Sequence, residues 1–136
     1  MVRFDAWLRE YYPTEAQDVA PKDALEHSIQ KWRGLLPSAL KRYGLCLDYT
    51  NGCIDLGGTF ESRHVLWIDD ATCALCVHYC RQRPGDPSID CAACPLAQYL
   101  GYSCDEHSNA PYEIFRRTGN VRPMLAALRA TRRARR

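Results

Sequence analysis

The first part of the chain places its apolar side chains at the spacing of an α-helix. Leu25, Ile29, Trp32 and Leu36 follow one another at intervals of four, three and four residues, so they share one helical face. Prolines just before and just after this stretch suit the first turn and the end of a helix. The pattern predicts a helix over residues 22–36.

Two shorter helices are predicted on either side of it. Residues 4–12 have helical periodicity and stop at Pro13, because proline disrupts a helix interior. Residues 38–43 form a further short turn of helix, ended by Gly44. The segment 1–44 is therefore predicted to be helical.

From residue 45 the chain changes to short apolar runs that are typical of strands. The first two runs flank Asn51-Gly52, a strong hairpin signal, and Gly57-Gly58 closes the second. The pattern predicts a small antiparallel sheet over residues 45–69. Cys46 and Cys53 lie in the hairpin as buried thiols, or alternatively face each other across it. The three predicted strands cover residues 45–50, 53–56 and 64–68.

Residues 70–110 hold most of the cysteines. A helix is expected to run from an N-cap at Asp70 or Thr72 to about Arg83. It is followed by a loop and by a second short helix, over residues 84–87 and about 94–101 respectively.

The C-terminal segment 111–136 is predicted to contain two helices. The first covers about 111–117, with Ser108 or Asn109 as its cap, and Gly119 ends it. The arginine-rich tail at 132–136 need not be ordered. The second helix, over about 121–130, is expected to dock on the body through Met124, Leu125 and Leu128.

Length and composition fit a single α+β domain spanning residues 1–136. Apolar residues make up 46% and charged residues 25%, which indicates a folded rather than a disordered chain. The sequence carries neither a secretory signal nor an apolar stretch of membrane-spanning length, so we expect a cytoplasmic protein. In a reducing compartment, clustered cysteines are metal ligands or redox groups rather than disulfides.

Six of the eight cysteines fall within one short segment and supply two C-x-x-C pairs. Two residues between cysteines let both sulfurs reach one ion, so a double pair predicts a tetrahedral site, most often for zinc. An iron–sulfur cluster is the alternative cofactor. The predicted ligands are four of Cys73, Cys76, Cys91, Cys94 and Cys104.

Three further side chains are weaker ligand candidates. Cys80 shares a helical face with Cys73 and Cys76, but it stands outside the C-x-x-C pairs. His78 and His107 are nearby nitrogen donors. The other interpretation is that several of the thiols are simply buried, because free cysteine packs well in protein cores.

Five motifs follow one another along the chain. They are the run ALEHSIQKWRGL at 24–35, Cys73-Ala74-Leu75-Cys76, Cys91-Ala92-Ala93-Cys94-Pro95-Leu96, Pro111-Tyr112 and Arg122-Pro123-Met124. In this order they resemble small cysteine-rich proteins that bacteriophages and prophages encode, and they cover most of the chain from about residue 22. The resemblance implies a phage-type origin, hence a bacterial host cell, and a metal site. It implies no reaction.

The signatures of zinc enzymes are missing from the sequence. There is no H-E-x-x-H, and no histidine is followed at the second position by glutamate. A site made only of cysteines keeps no open position for water. We interpret Asp69-Asp70 as a strand end with a helix cap, and His27 as a surface or half-buried residue. The sequence therefore predicts a non-enzymatic protein, with a thiol redox role as the chemical alternative.

Positive charge is concentrated after residue 110. Residues 1–110 carry 10 basic and 15 acidic side chains, whereas residues 111–136 carry eight arginines and one acid. Such a segment can neutralise phosphates, which predicts nucleic acid or a nucleoprotein as the partner. The other interpretation is that the arginines complement helix dipoles. The candidate contacts are Arg116, Arg117, Arg122, Arg129, Arg132 and Arg133.

A second hypothesis is that the chain is an adaptor or inhibitor that binds a host enzyme. An acidic body with exposed aromatic side chains would supply such an interface. The same aromatic side chains are otherwise expected in the core or at its boundary. The residues concerned are Tyr11, Tyr12, Tyr99 and Tyr102.

Overall fold

A computed structural model describes the chain over residues 3–55, 64–82 and 89–135. Within these ranges it is an α+β protein, as the sequence predicts. The α-helices are α1 Phe4–Tyr11, α2 Ala24–Arg33, α3 Pro37–Arg42, α4 Ala74–Tyr79, α5 Pro95–Leu100, α6 Pro111–Thr118 and α7 Arg122–Ala134. The strands are β1 Cys46–Asp48, β2 Cys53–Asp55, β3 His64–Trp67, β4 Arg81–Gln82 and β5 Ile89–Asp90. Single 3₁₀ turns lie at Ala16–Asp18, Pro21–Asp23 and Asp70–Thr72.

The N-terminal helices are joined by a close approach of two chain segments. The indole Nε1 of Trp7 donates a hydrogen bond of 2.8 Å to the carbonyl oxygen of Gly34, at the end of α2. A Cβ added at Gly34 would stand 2.5 Å from Cγ of Tyr11. The absence of a side chain at Gly34 is therefore what lets α1 pack against α2 at this point.

Helix α2 is the central element, because it packs against α1, α4 and α7. The ring of Trp32 meets Phe115 of α6 edge to face, with centroids 4.9 Å apart, and both rings are buried. Leu128 of α7 is also fully buried. The predicted stripe is confirmed at Ile29 and Trp32.

The three-stranded sheet has the order β1-β2-β3, antiparallel throughout, which confirms the predicted sheet. Gly52 in the first turn has φ of +70°, a left-handed conformation that glycine adopts without strain. The register pairs Cys46 with Asp55, and Cys53 with Asp48. The alternative that the two cysteines face each other is therefore wrong. Cys53 is buried as expected, whereas Cys46 is exposed.

The helix in the cysteine region is shorter than predicted. It ends at Tyr79 because Cys80 adopts an extended conformation, and β4 then pairs with β5. Its N-cap is Cys73, whose sulfur accepts from the amide of Cys76 at 3.5 Å, whereas Asp69 caps the preceding 3₁₀ turn. The predicted turn at Gly57-Gly58 and the predicted loop at 84–87 lie outside the described residues.

The two C-terminal helices have different ends from those predicted. Helix α6 begins after Ala110 with proline in its first turn, so neither Ser108 nor Asn109 caps it. Helix α7 extends to Ala134 and therefore includes most of the tail expected to be unordered. It continues because Thr131 is still buried one turn beyond the last predicted contact. The predicted docking residues are confirmed as buried, namely Met124, Leu125 and Leu128.

No helix in the described part of the chain is both long and apolar enough to cross a membrane.

Candidate metal centre

Three segments bring the six clustered cysteines toward one region. Cys73 caps α4, Cys76 lies within it, and Cys80 follows it directly. Cys91 follows β5, and Cys94 precedes α5. Cys104 lies between α5 and α6, where its carbonyl oxygen accepts from the amide of Tyr112 at 2.9 Å. All six side chains are buried or half-buried.

The thiols neighbour one another in a continuous series. Those of Cys73 and Cys80 both lie near enough to Cys76 to shift the pKa of its thiol. The pKa of Cys80 is shifted in turn by Cys76, Cys94 and Cys91. The first C-x-x-C pair is thereby connected to the second through Cys80.

The small β4–β5 hairpin accounts for the second part of this series. Its register pairs Arg81 with Asp90. In an antiparallel pair the next positions outward also lie opposite each other, so Cys80 lies across from Cys91. The amide of Cys94 then bonds to the carbonyl of Cys91 at 2.9 Å, which forms the turn of the second C-x-x-C pair.

A cavity of about 440 Å³ opens beside α4. Four cysteines from three separate segments line it, together with Lys31 of α2. Carboxylates of Asp69, Asp70, Asp105 and Glu106 lie at the same cavity. The four cysteines are Cys73, Cys76, Cys91 and Cys104.

Burial and crowding keep the thiols of Cys73, Cys76 and Cys104 protonated in the metal-free chain. The hydrogen bond with Cys76, followed by burial, raises the pKa of Cys73 well above its ordinary value. For Cys104 burial comes first and the neighbouring thiols second, and both raise the pKa. Cys73 lowers the pKa of Cys76, but Cys80 and burial together raise it by more, so the pKa of Cys76 lies above its ordinary value. A bound metal ion would have to displace these protons.

Lys31 is the one fully buried lysine in the described part of the chain, with 1% of its surface exposed. Its Nζ donates to the carbonyl oxygen of Thr72 at 2.9 Å, immediately before Cys73. Burial lowers the pKa of Lys31, whereas Cys73 and Cys76, followed by Asp69 and Cys104, raise it. A buried cation needs a compensating negative charge, and thiolates would supply it.

The donor set fits a soft metal ion. Six thiols and a cationic neighbour match zinc or an iron–sulfur cluster better than magnesium or calcium, which bind oxygen. Within residues 3–55, 64–82 and 89–135, no three His, Cys, Asp or Glu side chains are placed so that they could hold a metal ion together. The thiols are neighbours, and their side chains would have to change conformation to bind an ion.

The sequence pattern ranks Cys80 too low as a member of the cluster and gives no indication of Lys31. Cys80 links the two C-x-x-C pairs, although its position outside both pairs made it the weaker candidate. Lys31 lies next to Trp32 on α2, and the burial of a lysine cannot be predicted from hydrophobic periodicity.

The two candidate histidines differ in their hydrogen bonds. The Nδ1 atom of His107 accepts from the amide of Asn109 at 3.3 Å. Nε2 of His78 is buried without a hydrogen-bond partner among the described residues.

The six candidate arginines lie on α6 and α7 and divide into two groups. Arg116 pairs with Glu113 at 2.9 Å, Arg117 bonds to the carbonyl of Ser108, and Arg132 pairs with Glu26 of α2 at 3.1 Å. In the described ranges the remaining three side chains form no ion pair or hydrogen bond. They are Arg122, Arg129 and Arg133.

A cleft of about 310 Å³ lies between α2 and α7, with Arg33, Arg129 and Arg132 along it. Arg33 comes from α2, so it was not among the candidates taken from the C-terminal segment. Three guanidinium groups from two helices thus share one concave surface, where Glu26 is the acidic lining residue.

The four candidate tyrosines, His27 and Asp69 differ in how far they are buried. Tyr11 and Tyr12 are in the core, whereas Tyr99 is exposed and Tyr102 half-buried. His27 is buried, so its interpretation as a surface or half-buried residue is wrong; its Nε2 bonds to the carbonyl of Thr14 at 2.6 Å. Asp69 caps the 3₁₀ turn as expected.

Comparison of the chain with protein-family models, curated proteins and solved structures finds no match.

Proposed function

We propose that this chain is a small, non-enzymatic zinc-binding accessory protein of phage type that binds nucleic acid through α6 and α7. The observation that carries the proposal is the convergence of six thiols around α4, next to a buried lysine. Zinc bound there would hold α4, the β4–β5 hairpin and α5 together. The phage-type origin is supported by the order of the C-x-x-C and Pro-Tyr motifs.

The nucleic-acid half of the proposal is supported by how α7 divides its surface. Its apolar side chains are buried against α2, α5 and α6. Its exposed side carries arginines, of which Arg122, Arg129 and Arg133 have no protein partner among the described residues. Unpaired guanidinium groups on a rigid helix suit contacts with phosphate oxygens.

The test is binding of fluorescently labelled duplex and single-stranded oligonucleotides at two salt concentrations. We expect affinity to fall steeply between about 50 and 200 mM salt, because phosphate contacts release counterions. The double substitution R129A/R133A should weaken binding by on the order of tenfold and flatten the salt dependence. Its matched control is R9A/K41A, which removes the same charge from α1 and α3. Equal losses in both variants, or no binding at low salt, would overturn the nucleic-acid half.

Glu26 offers a second, opposite test. Its carboxylate engages Arg132, so E26Q should release that guanidinium group and tighten nucleic-acid binding. Glu10 pairs in the same way with Arg42 at 3.4 Å, away from α7. The E10Q variant therefore removes the same charge and serves as the control. Similar affinities for the two variants would argue against a role for the α2–α7 cleft.

An adaptor function is the second candidate, and one observation favours it. Trp67 on β3 is 49% exposed and Tyr99 on α5 is 48% exposed, and large aromatic side chains are common in protein interfaces. Capture of a single host protein, retained at 0.2 M salt and by R129A/R133A but lost in W67A, would support the adaptor and contradict the nucleic-acid proposal.

A further inference from the structure

The thiol cluster has more members than one tetrahedral ion accepts. A structural zinc ion takes four ligands, and six cysteines converge here. Cys80 and Cys94 are not among the cysteines that line the cavity. They nevertheless adjoin the same cluster, because Cys80 follows Cys76 by one helical turn and Cys94 closes a turn with Cys91.

Four thiols form a first group around the cavity beside Lys31. They come from the start of α4, the residue after β5 and the segment before α6, so they approach from three directions. An ion at this cavity would therefore be enclosed rather than held along a single helix. The group consists of Cys73, Cys76, Cys91 and Cys104.

A second group of four surrounds Cys80. Extending the β4–β5 register by one residue sets Cys80 opposite Cys91, which shares a turn with Cys94, and Cys76 lies one helical turn before Cys80. Cys76 and Cys91 thus belong to both groups. Cys80 and Cys94 occur only in the second group.

We propose that the cluster binds two zinc ions per chain, with Cys76 and Cys91 as thiolate bridges between them. Two tetrahedral ions need eight ligand positions, and six thiolates supply eight when two of them bridge. The inference rests on the proposed zinc site and extends it. Cys73 and Cys104 complete one ion, and Cys80 and Cys94 complete the other.

The charges and protons of this arrangement balance. Six thiols release six protons to solvent as two Zn²⁺ ions enter, with no change of oxidation state. Six thiolates and two Zn²⁺ leave a net charge of −2. The ammonium group of Lys31 lies at the first group and offsets part of this charge.

The test is the metal content of the intact chain, purified without added chelator and measured by elemental analysis and native mass spectrometry. We expect two zinc ions per chain. Titration of the metal-free chain with Co²⁺ should show thiolate-to-metal absorption that increases up to two equivalents. This titration uses the natural sequence, so it does not depend on any variant folding.

Single substitutions then distinguish the two ions. C80S and C94S should each reduce the content to one zinc ion, because these side chains serve only the second group. C46S should retain two, since Cys46 is exposed on β1, outside the cluster. One zinc ion in the natural chain, unchanged in C80S, would overturn the second ion and leave the proposed zinc site intact. No bound metal, or iron with inorganic sulfide, would overturn both.

Discussion

The ammonium group of Lys31 lies beside the Cys73 thiol, inside the same cavity and hydrogen-bonded to the carbonyl of the preceding residue. A lysine in this position raises the cost of folding without metal, because a buried charge loses its hydration. With thiolates present it becomes a favourable counter-charge. A metal ion bound at these thiols would therefore be electrostatically linked to the helical core through α2.

The K31M variant should separate these two effects. We expect zinc affinity to fall roughly tenfold, since the compensating charge is lost. The metal-free protein should become no less stable, because methionine carries no charge into the core. Competition with a coloured chelator measures the affinity, and thermal melting measures the stability. K41M, on an exposed lysine of α3, is the control, and equal affinities for the two variants would contradict the link.

Removal of the metal should loosen residues 70–110 before the rest of the chain. A metal ion bound by the cysteines would contribute folding free energy there, because it would hold together α4 and α5, which are short helices of 6 residues each. Hydrogen exchange with and without a chelator gives the measurement. We expect amide protection to fall first around α4 and α5 and to persist in α1 and α2. An unchanged exchange pattern and an unchanged melting temperature would contradict a structural role for the metal.

His27 should make the folded state sensitive to mild acid. Burial lowers the pKa of His27 below its ordinary value of 6.5, and Lys31 lowers it too, whereas the Thr14 carbonyl and Glu15 raise it. Below pH 6.5 the unfolded chain therefore binds a proton that the folded chain resists. The stability contributed by neutral His27 is full above pH 6.5 and is lost as the pH falls toward the folded-state pKa.

The H27Q variant isolates this contribution. Denaturant unfolding at several pH values should show a smaller loss of stability below pH 6.5 for H27Q than for the natural chain. Acid also releases metal from thiolates, but that effect is common to both proteins and cancels in the difference. H107Q, at an exposed position, should keep the natural pH dependence. A pH profile of H27Q identical to the natural one would refute the prediction.

The G34A substitution should destabilise the N-terminal helices. The added methyl group would overlap Cγ and Cβ of Tyr11, at 2.5 and 2.6 Å, and these atoms lie too near the backbone to swing away. Overpacking of this kind costs about 1–3 kcal/mol. Denaturant midpoints measure the change, and R33A, at the exposed neighbouring position, is the control. A loss in G34A no larger than in R33A would show that α1 adjusts freely.

Local signals in the sequence were sufficient for much of the fold. Proline and glycine mark the ends of α1 and α3, and Asn51-Gly52 marks the hairpin, because each restricts the backbone at its own position. The end of α4 was missed because it is set by pairing with β5, which comes later in the chain. The sequence predicts α7 too short because the burial of Thr131 depends on the packing of the whole fold.

The candidate site was only partly predictable for the same reason. Spacing identifies the two C-x-x-C pairs, since their geometry is local. The linking position of Cys80 depends on the β4–β5 register, and the burial of Lys31 depends on packing between α2 and the segment before α4. Neither relationship can be predicted from a short stretch of sequence, because each depends on residues far apart in the chain.

Helix α7 follows all of its packing partners in the chain, and this order matters during synthesis. Helix α2 emerges from the ribosome about a hundred residues before the helix that covers it. Until α7 arrives, the apolar side of α2 is available to chaperones and to other nascent chains. A premature stop before α7 would therefore yield an aggregation-prone fragment with the apolar side of α2 exposed, rather than a shortened folded protein.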